Sequence, residues 1–422
     1  MTNSSSIRPI QTTGRYLVLL PETDVRSGMS ALTDSTGVRD IDDSAVSNLG
    51  VAVVALDPNQ LQSLNAAVAG SQPILAAEPE QIMYAIGGAV ISGDTANFLE
   101  GYKEGVANLV DSLSNGGVTP GKQLTTSAFS DGAATWGLQA TKVVDSSYSG
   151  AGIKVAVLDT GLDLTHPDFA GRTITERSFI SGEAVQDRNG HGTHCIGTSC
   201  GPLNPPDSSS PMRYGVAHNA EIFAGKVLSN AGSGADGGIL NGIDWAITNG
   251  CQIISMSLGA PTRPGTPFSP IYEEVAKRAL ARGTLIIAAA GNESRDFFTG
   301  RRRVPPNPVG RPANCPSIMA VAALDNLLQV ASFSNGSINP DGGGIDLAGP
   351  GVDVYSTWPM PTRYRTISGT SMATPHVAGI AALYAEATGK RGLELWALLM
   401  LDSQRLELPS TDVGIGLVQA PV

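Results

Sequence analysis

The chain has 422 residues, 41% of them hydrophobic and 15% charged, which is apolar mass enough for a large core and for more than one folding unit. Its formal net charge is −11, with acids outnumbering bases mainly in the N-terminal third. That balance repels a phosphate backbone and argues against nucleic acid as a partner, and no run of about 18 apolar residues is present to span a bilayer.

Residues 1–13, beginning MTNSSSIRPIQTT, read as a polar tail. They lack the apolar core of a secretion signal, which points to a cytoplasmic chain or one exported by another route. Residues 14–87 read as a small α+β unit. RYLVLLPE at 15–22 is a short strand-like run stopped by Pro21, and a weakly patterned helix follows near 24–34. LGVAVVALDPNQLQSLNAAVAG at 49–70 is a strand and then a helix: Asp57 caps, Pro58 suits the first turn, Leu61, Leu64 and Val68 share a face, and Gly70 ends it. A further strand is expected near 81–86, with Ile82 and Tyr84 on one side. Residues 88–130 hold an amphipathic helix over 95–114 and then an exposed connector rich in Gly, Ser and Thr.

From 131 to 422 a second, larger domain is expected. Beyond residue 150 the texture becomes IKVAVLD, AEIFAGKVL, CQIISMSLG, GTLIIAAAG and SIMAVAAL, alternating with helical segments such as 237–249 and 271–282. Near-continuous runs of Val, Ile, Leu and Ala are what strands buried on both faces look like, so the fold class is α/β with a mostly parallel sheet. Active groups then belong at the carboxyl ends of the strands.

One stretch, RNGHGTHCIGTSCG at 188–201, gathers His191, His194, Cys195 and Cys200, all good zinc ligands and all able to serve nucleophilic chemistry. Two residues elsewhere, Asp159 and Ser371, bear on the choice. Asp159 closes a strand, His191 lies in GHGTH, and Ser371 lies in SGTSMATPHVAG. A weak alcohol nucleophile needs a base, and the base needs a third group to hold its tautomer; one Ser, one His and one Asp supply these roles. Asn292 in AAAGNES follows a buried strand and is a candidate amide donor to a developing oxyanion.

VAVLDTGLDLTHPDF, NGHGTHCIGT, AAAGNES and SGTSMATPHVAG together resemble the Asp, His, oxyanion and Ser motifs of the subtilisin-like serine proteases, in that family's chain order. Four long motifs in order are far more specific than a lone His-x-x-His. The resemblance covers about 131–420. It implies a three-layer fold around a seven-stranded sheet and endopeptidase activity on protein or peptide substrates through an acyl-enzyme, with no cofactor in the chemistry. It implies catalytic roles for Asp159, His191 and Ser371 and an oxyanion role for Asn292. It further implies a cleft with Ser257, Leu258 and Gly259 as one wall of the primary pocket, Ala289, Ala290 and Gly291 opposite, and residues 233–238 as the other flanking strand edge.

HGTHC is similar to the proteinase K branch, where a free thiol lies under the catalytic histidine, and the resemblance implies that Cys195 is that thiol here. Asp168 in HPDF matches a position that ligates structural calcium in many members, although the loop after Gly201 is unlike the usual ligand loop. Residues 14–87 resemble the ferredoxin-like propeptide that inhibits the catalytic domain and assists its folding, so the chain's own N-terminal unit is an expected intramolecular partner of a monomeric enzyme. The opposing expectation is a silenced binding protein whose N-terminal unit stays in the cleft.

Overall fold

A computed structural model of the chain describes residues 10–39, 41, 49–70, 73–86, 129–206, 212–296 and 298–422. The helix expected over 95–114 and most of its connector lie outside the described residues. In the N-terminal unit, strand β1 (Thr12–Leu19) is followed by helix α1 (Val25–Thr36), strand β2 (Val51–Ala55), helix α2 (Pro58–Ala69) and strand β3 (Ala76–Ala85). Helix α2 begins as its sequence requires, with Asp57 accepting from the amides of Asn59 and Gln60 and the Gln60 side chain accepting from the Asp57 amide. β1 sits between β2 and β3, antiparallel to both. β3 is longer than the run that marks it in the sequence, because its first half contains Glu78, Pro79 and Glu80 rather than apolar residues.

Beyond residue 129 come the short helix α3 (Trp136–Ala140), β4 (Lys154–Asp159), β5 (Ile174–Ser178), α4 (His191–Cys200), β6 (Glu221–Lys226), β7 (Ser233–Ala235) and α5 (Asp236–Thr248). They are followed by β8 (Ile253–Met256), β9 (Leu258–Gly259), α6 (Pro270–Ala281), β10 (Leu285–Ala289), β11 (Met319–Leu324) and β12 (Leu347–Pro350). A hairpin of β13 (Val354–Thr357) and β14 (Tyr364–Ile367) then leads to α7 (Thr370–Thr388) and α8 (Gly392–Leu401). Seven strands form one parallel sheet in the order β12-β11-β10-β8-β4-β6-β5.

The side-chain period of two explains why these strands read as unbroken apolar runs. Val155 and Val157 of β4 face a core shared with α4 and α7, whereas Ala156 and Leu158 face a core shared with α5 and α6. The same division splits Ile253 from Ile254 in β8 and Leu285 and Ile287 from Ile286 and Ala288 in β10. The N-terminal unit continues the pattern outward. Leu17 and Leu19 of β1, Val51 and Val53 of β2 and Met83 of β3 join the α5–α6 core, while Val18, Leu20, Ala52 and Val54 turn away into a smaller core under α1 and α2. Five layers result, with α5 and α6 buried between two sheets. Each fully buried Leu or Met at that contact is worth about 1.5–3 kcal/mol.

Candidate active site

Asp159, the last residue of β4, is 1% exposed, and its Oδ1 accepts from the Thr160 amide at 2.7 Å and from His191 Nδ1 at 2.8 Å. His191 is the first residue of α4, entered through Gly190, whose φ of 105° is open chiefly to glycine. The next residue must also be small: a Cβ on Gly192 would fall 2.3 Å from the Gly161 carbonyl, and its amide donates to Thr160 Oγ1 at 2.8 Å. The start of α4 is thereby pressed onto the loop after β4, and the imidazole meets the carboxylate.

Ser371 stands in the first turn of α7, fully buried. Its carbonyl accepts from Ser257 Oγ at 2.8 Å and from Cys195 Sγ at 3.6 Å, while the same sulfur lies 3.9 Å from His191 Nδ1. Ser371 Oγ and His191 Nε2 are both buried and hydrogen-bond no group among the described residues. Asn292 follows β10. Its Oδ1 accepts from the amide and the hydroxyl of Thr370, each at 2.9 Å, which fixes the side chain so that Nδ2 points the other way, toward the carbonyl of Ile86 at 2.9 Å. The structure therefore gathers Asp159, His191, Cys195, Ser371 and Asn292 from positions spread over more than 200 residues.

A model of the subtilase family matches residues 150–404. Among curated proteins, the chain is 38% identical over 280 residues to subtilisin DY of Bacillus licheniformis, an alignment covering 66% of this chain and 90% of that one. It is 41% identical over 252 residues to subtilisin Savinase of Lederbergia lenta, covering 59% and 82%, and 41% identical over 248 residues to subtilisin E of Bacillus subtilis, covering 58% of each. The chain belongs to the subtilase family. As a subtilase it is a serine endopeptidase, a hydrolase acting on protein substrates, and its parallel α/β sheet is that of the family.

Electrostatics divide the subtilase's buried histidines. Burial disfavours a charged His191, but the Asp159 carboxylate beside Nδ1 outweighs it and holds the pKa well above the ordinary 6.5. His194, three residues on, is pushed down to about 3 by burial; its Nε2 donates to the carbonyls of Val354 and Arg365, a neutral ring tying α4 to the hairpin. His376 is likewise lowered to about 4 by burial and donates through Nδ1 to the Met372 carbonyl. Burial raises the Cys195 thiol, so it stands by the imidazole uncharged. All four cysteines are buried free thiols.

Neither metal reading fits. Of the four zinc ligands the sequence offered, His191 and Cys195 cluster with Asp159, their donor atoms within 4.8 Å of one another, but His194 and Cys200 do not join them among the described residues. His194 Nε2 is taken by the Val354 and Arg365 carbonyls, and Asp159 Oδ1 and His191 Nδ1 are hydrogen-bonded to each other, whereas a structural zinc site takes four ligands. The surroundings of Asp168 do not fit the calcium that the resemblance implied. Its carboxylate accepts from the hydroxyls of Tyr214 at 2.5 Å and Tyr364 at 2.9 Å and faces the Arg363 guanidinium at 3.5 Å. Phenols and a guanidinium fill the sides that a hard cation needs for oxygen ligands.

The residues expected to line the cleft lie against the chain's own N-terminal unit. β3 pairs antiparallel with β7 through Ile82–Ala235, Met83–Gly234 and Tyr84–Ser233, and with β9 through Tyr84–Gly259 and Ala85–Leu258. The Ile86 amide then donates to the Ser257 carbonyl at 3.1 Å. Ser257, Leu258 and Gly259 thus run alongside residues 84–86. Ala289, Ala290 and Gly291 are buried and lead from β10 into Asn292, with the Gly291 amide donating to Thr370 Oγ1 at 3.2 Å.

Sequence reasoning missed the polar groups beneath this contact. Glu80 is fully buried, accepting from Arg15, from Thr13 and from the Gly237 amide at the start of α5. Arg311 joins Glu78 and Asp236, each at 2.9 Å, and Asp236 also accepts from the Gln81 amide at 2.9 Å. Arg278 of α6 donates to the carbonyls of Leu49 at 2.7 Å and Leu20 at 3.3 Å. Two glutamates around a proline read as a solvated strand, and nothing in their spacing marks Glu80 as buried or Glu78 as paired with Arg311.

Proposed function

We propose that this subtilase is made as a precursor in which residues 14–87 inhibit a catalytic domain spanning 131–422, and that it acts as a monomer nearest in type to the proteinase K branch. Ser371 Oγ attacks the scissile carbonyl, His191 Nε2 takes its proton and later delivers it to the leaving amine, and Asp159 holds the Nδ1–H tautomer. Asn292 Nδ2 and the Ser371 amide bind the oxyanion. Water hydrolyses the resulting ester. Ser257, Leu258 and Gly259, with Ala289, Ala290 and Gly291, form the walls of the primary pocket, and β7 and β9 pair with an extended substrate as it enters.

The observation that carries this reading is the Ile86 carbonyl held by Asn292 Nδ2 while the residues before it pair on both flanks. That is a substrate's hydrogen-bond pattern adopted by the chain itself. The test is labelling with a fluorophosphonate probe: the parent is labelled at Ser371 and processes itself, and Ser371→Ala does neither. An unlabelled parent that persists at full length overturns the reading in favour of a silenced binding protein.

A further inference from the structure

We infer that the bond between Ile86 and Gly87 is the one this chain cuts in itself, so that the released catalytic chain begins at Gly87, and that its primary pocket is built for a branched aliphatic side chain. The inference rests on the serine mechanism proposed above. The register is fixed from both sides. Along residues 84–86 the amides alternate in direction, Ala85 donating to Gly232 on the β7 flank and Ile86 donating to Ser257 on the β9 flank. A one-residue slip would reverse these directions and move every side chain to the opposite face.

Only one carbonyl of the segment meets the oxyanion donor. A Cβ added to Gly369 would lie 3.0 Å from Asn292 Nδ2, 3.0 Å from the Ile86 oxygen and 3.5 Å from Ser371 Oγ, so all three groups surround the bare face of a single glycine. Ile86 is 9% exposed, and its Cδ1 would be 2.9 Å from a Cβ on Gly259. The missing side chain at 259 is what gives the isoleucine its room.

The step balances without a further reagent. Ser371 Oγ bonds to the Ile86 carbonyl carbon as the carbon–nitrogen bond to Gly87 breaks, and the serine proton passes through His191 to the new amine of Gly87. Water then cleaves the ester, leaving a carboxylate on Ile86 and restoring the serine hydroxyl. The boundary so defined falls one residue before the end of the 14–87 unit, and the catalytic chain keeps residues 87–130.

Intact mass measurement and N-terminal sequencing of the incubated full-length chain test this, with Ser371→Ala beside it. The expected result is one fragment ending at Ile86 and one beginning at Gly87, both absent from Ser371→Ala. A serine-dependent cut elsewhere, with none after Ile86, overturns the inference and leaves the serine mechanism standing; no serine-dependent cut at all overturns both. For the pocket, Ile86→Leu is cut at the same bond, while Ile86→Asp slows that cut by about tenfold or more. Equal rates for Ile86→Asp and the parent overturn the pocket assignment.

Discussion

Asn292 has its orientation imposed by a neighbour. With Thr370 donating twice to Oδ1, the amide nitrogen has one direction left, and that direction holds the Ile86 oxygen. Removing such a donor costs on the order of 10²–10³ in turnover, so Asn292→Ala slows self-cleavage by that factor while leaving Ser371 open to the fluorophosphonate probe. Single-turnover rates from mass spectrometry measure it, and a loss below about fivefold contradicts the role. His191 sets the pH dependence. The imidazole must be neutral to accept the serine proton, and its pKa lies above 6.5 because the Asp159 carboxylate favours the charged form. The base is therefore lost as pH falls through that raised value, and the acid limb of the self-cleavage profile has its midpoint above 6.5. A rate that stays level down to about pH 5 would count against it.

At the scale of elements, the parallel sheet was legible because burial on two faces leaves an unbroken apolar signature, and the residues proposed for catalysis stood out because each sits in a glycine-bearing motif at a strand end or helix start. Ile86 was not legible. An isoleucine closing a strand looks like any other, and its place comes from backbone pairing with residues 232–259, which no local pattern encodes. Asp168 misled for a related reason: the motif HPDF carries the position, but its partners Tyr214 and Tyr364 lie 46 and 196 residues away. Those phenols give a prediction about the elements they tie together. Asp168→Asn removes the charge facing Arg363 and weakens the acceptor of two buried or half-buried hydroxyls, a cost of about 1–3 kcal/mol. Denaturant unfolding of Asp168→Asn in a Ser371→Ala background reads the loss, which is the same in added calcium and in chelator. A loss seen only with calcium present restores the metal at this position.

At the scale of the whole molecule, the N-terminal unit is fastened by apolar surface and by polar groups buried with it. Leu17, Leu19, Val51, Val53 and Met83 complete the α5–α6 core, and Glu80 is enclosed between Arg15 and the first turn of α5. Glu80→Ala strands the buried Gly237 amide and leaves the exposed Arg15 guanidinium to water, so docking weakens by about 1–3 kcal/mol. In the Ser371→Ala chain, amide hydrogen exchange across β3 then speeds by roughly ten- to a hundredfold; unchanged exchange would show that Glu80 holds nothing. The parallel sheet depends on pairings distant in sequence, a topology that folds slowly, and on the precursor reading proposed above a docked unit covering α5 and α6 would give those helices a surface while the sheet assembles.

If processing releases the N-terminal unit as proposed, the departure of β3 has a price for solubility. It bares the backbone of β7 and β9, whose amides and carbonyls are then unpaired and ready to join any extended chain, including another copy of this molecule. The exposed rims are three and two residues long. Strands that short offer too few consecutive hydrogen bonds to seed a growing sheet, so the opened enzyme can grip a passing peptide without polymerising on itself.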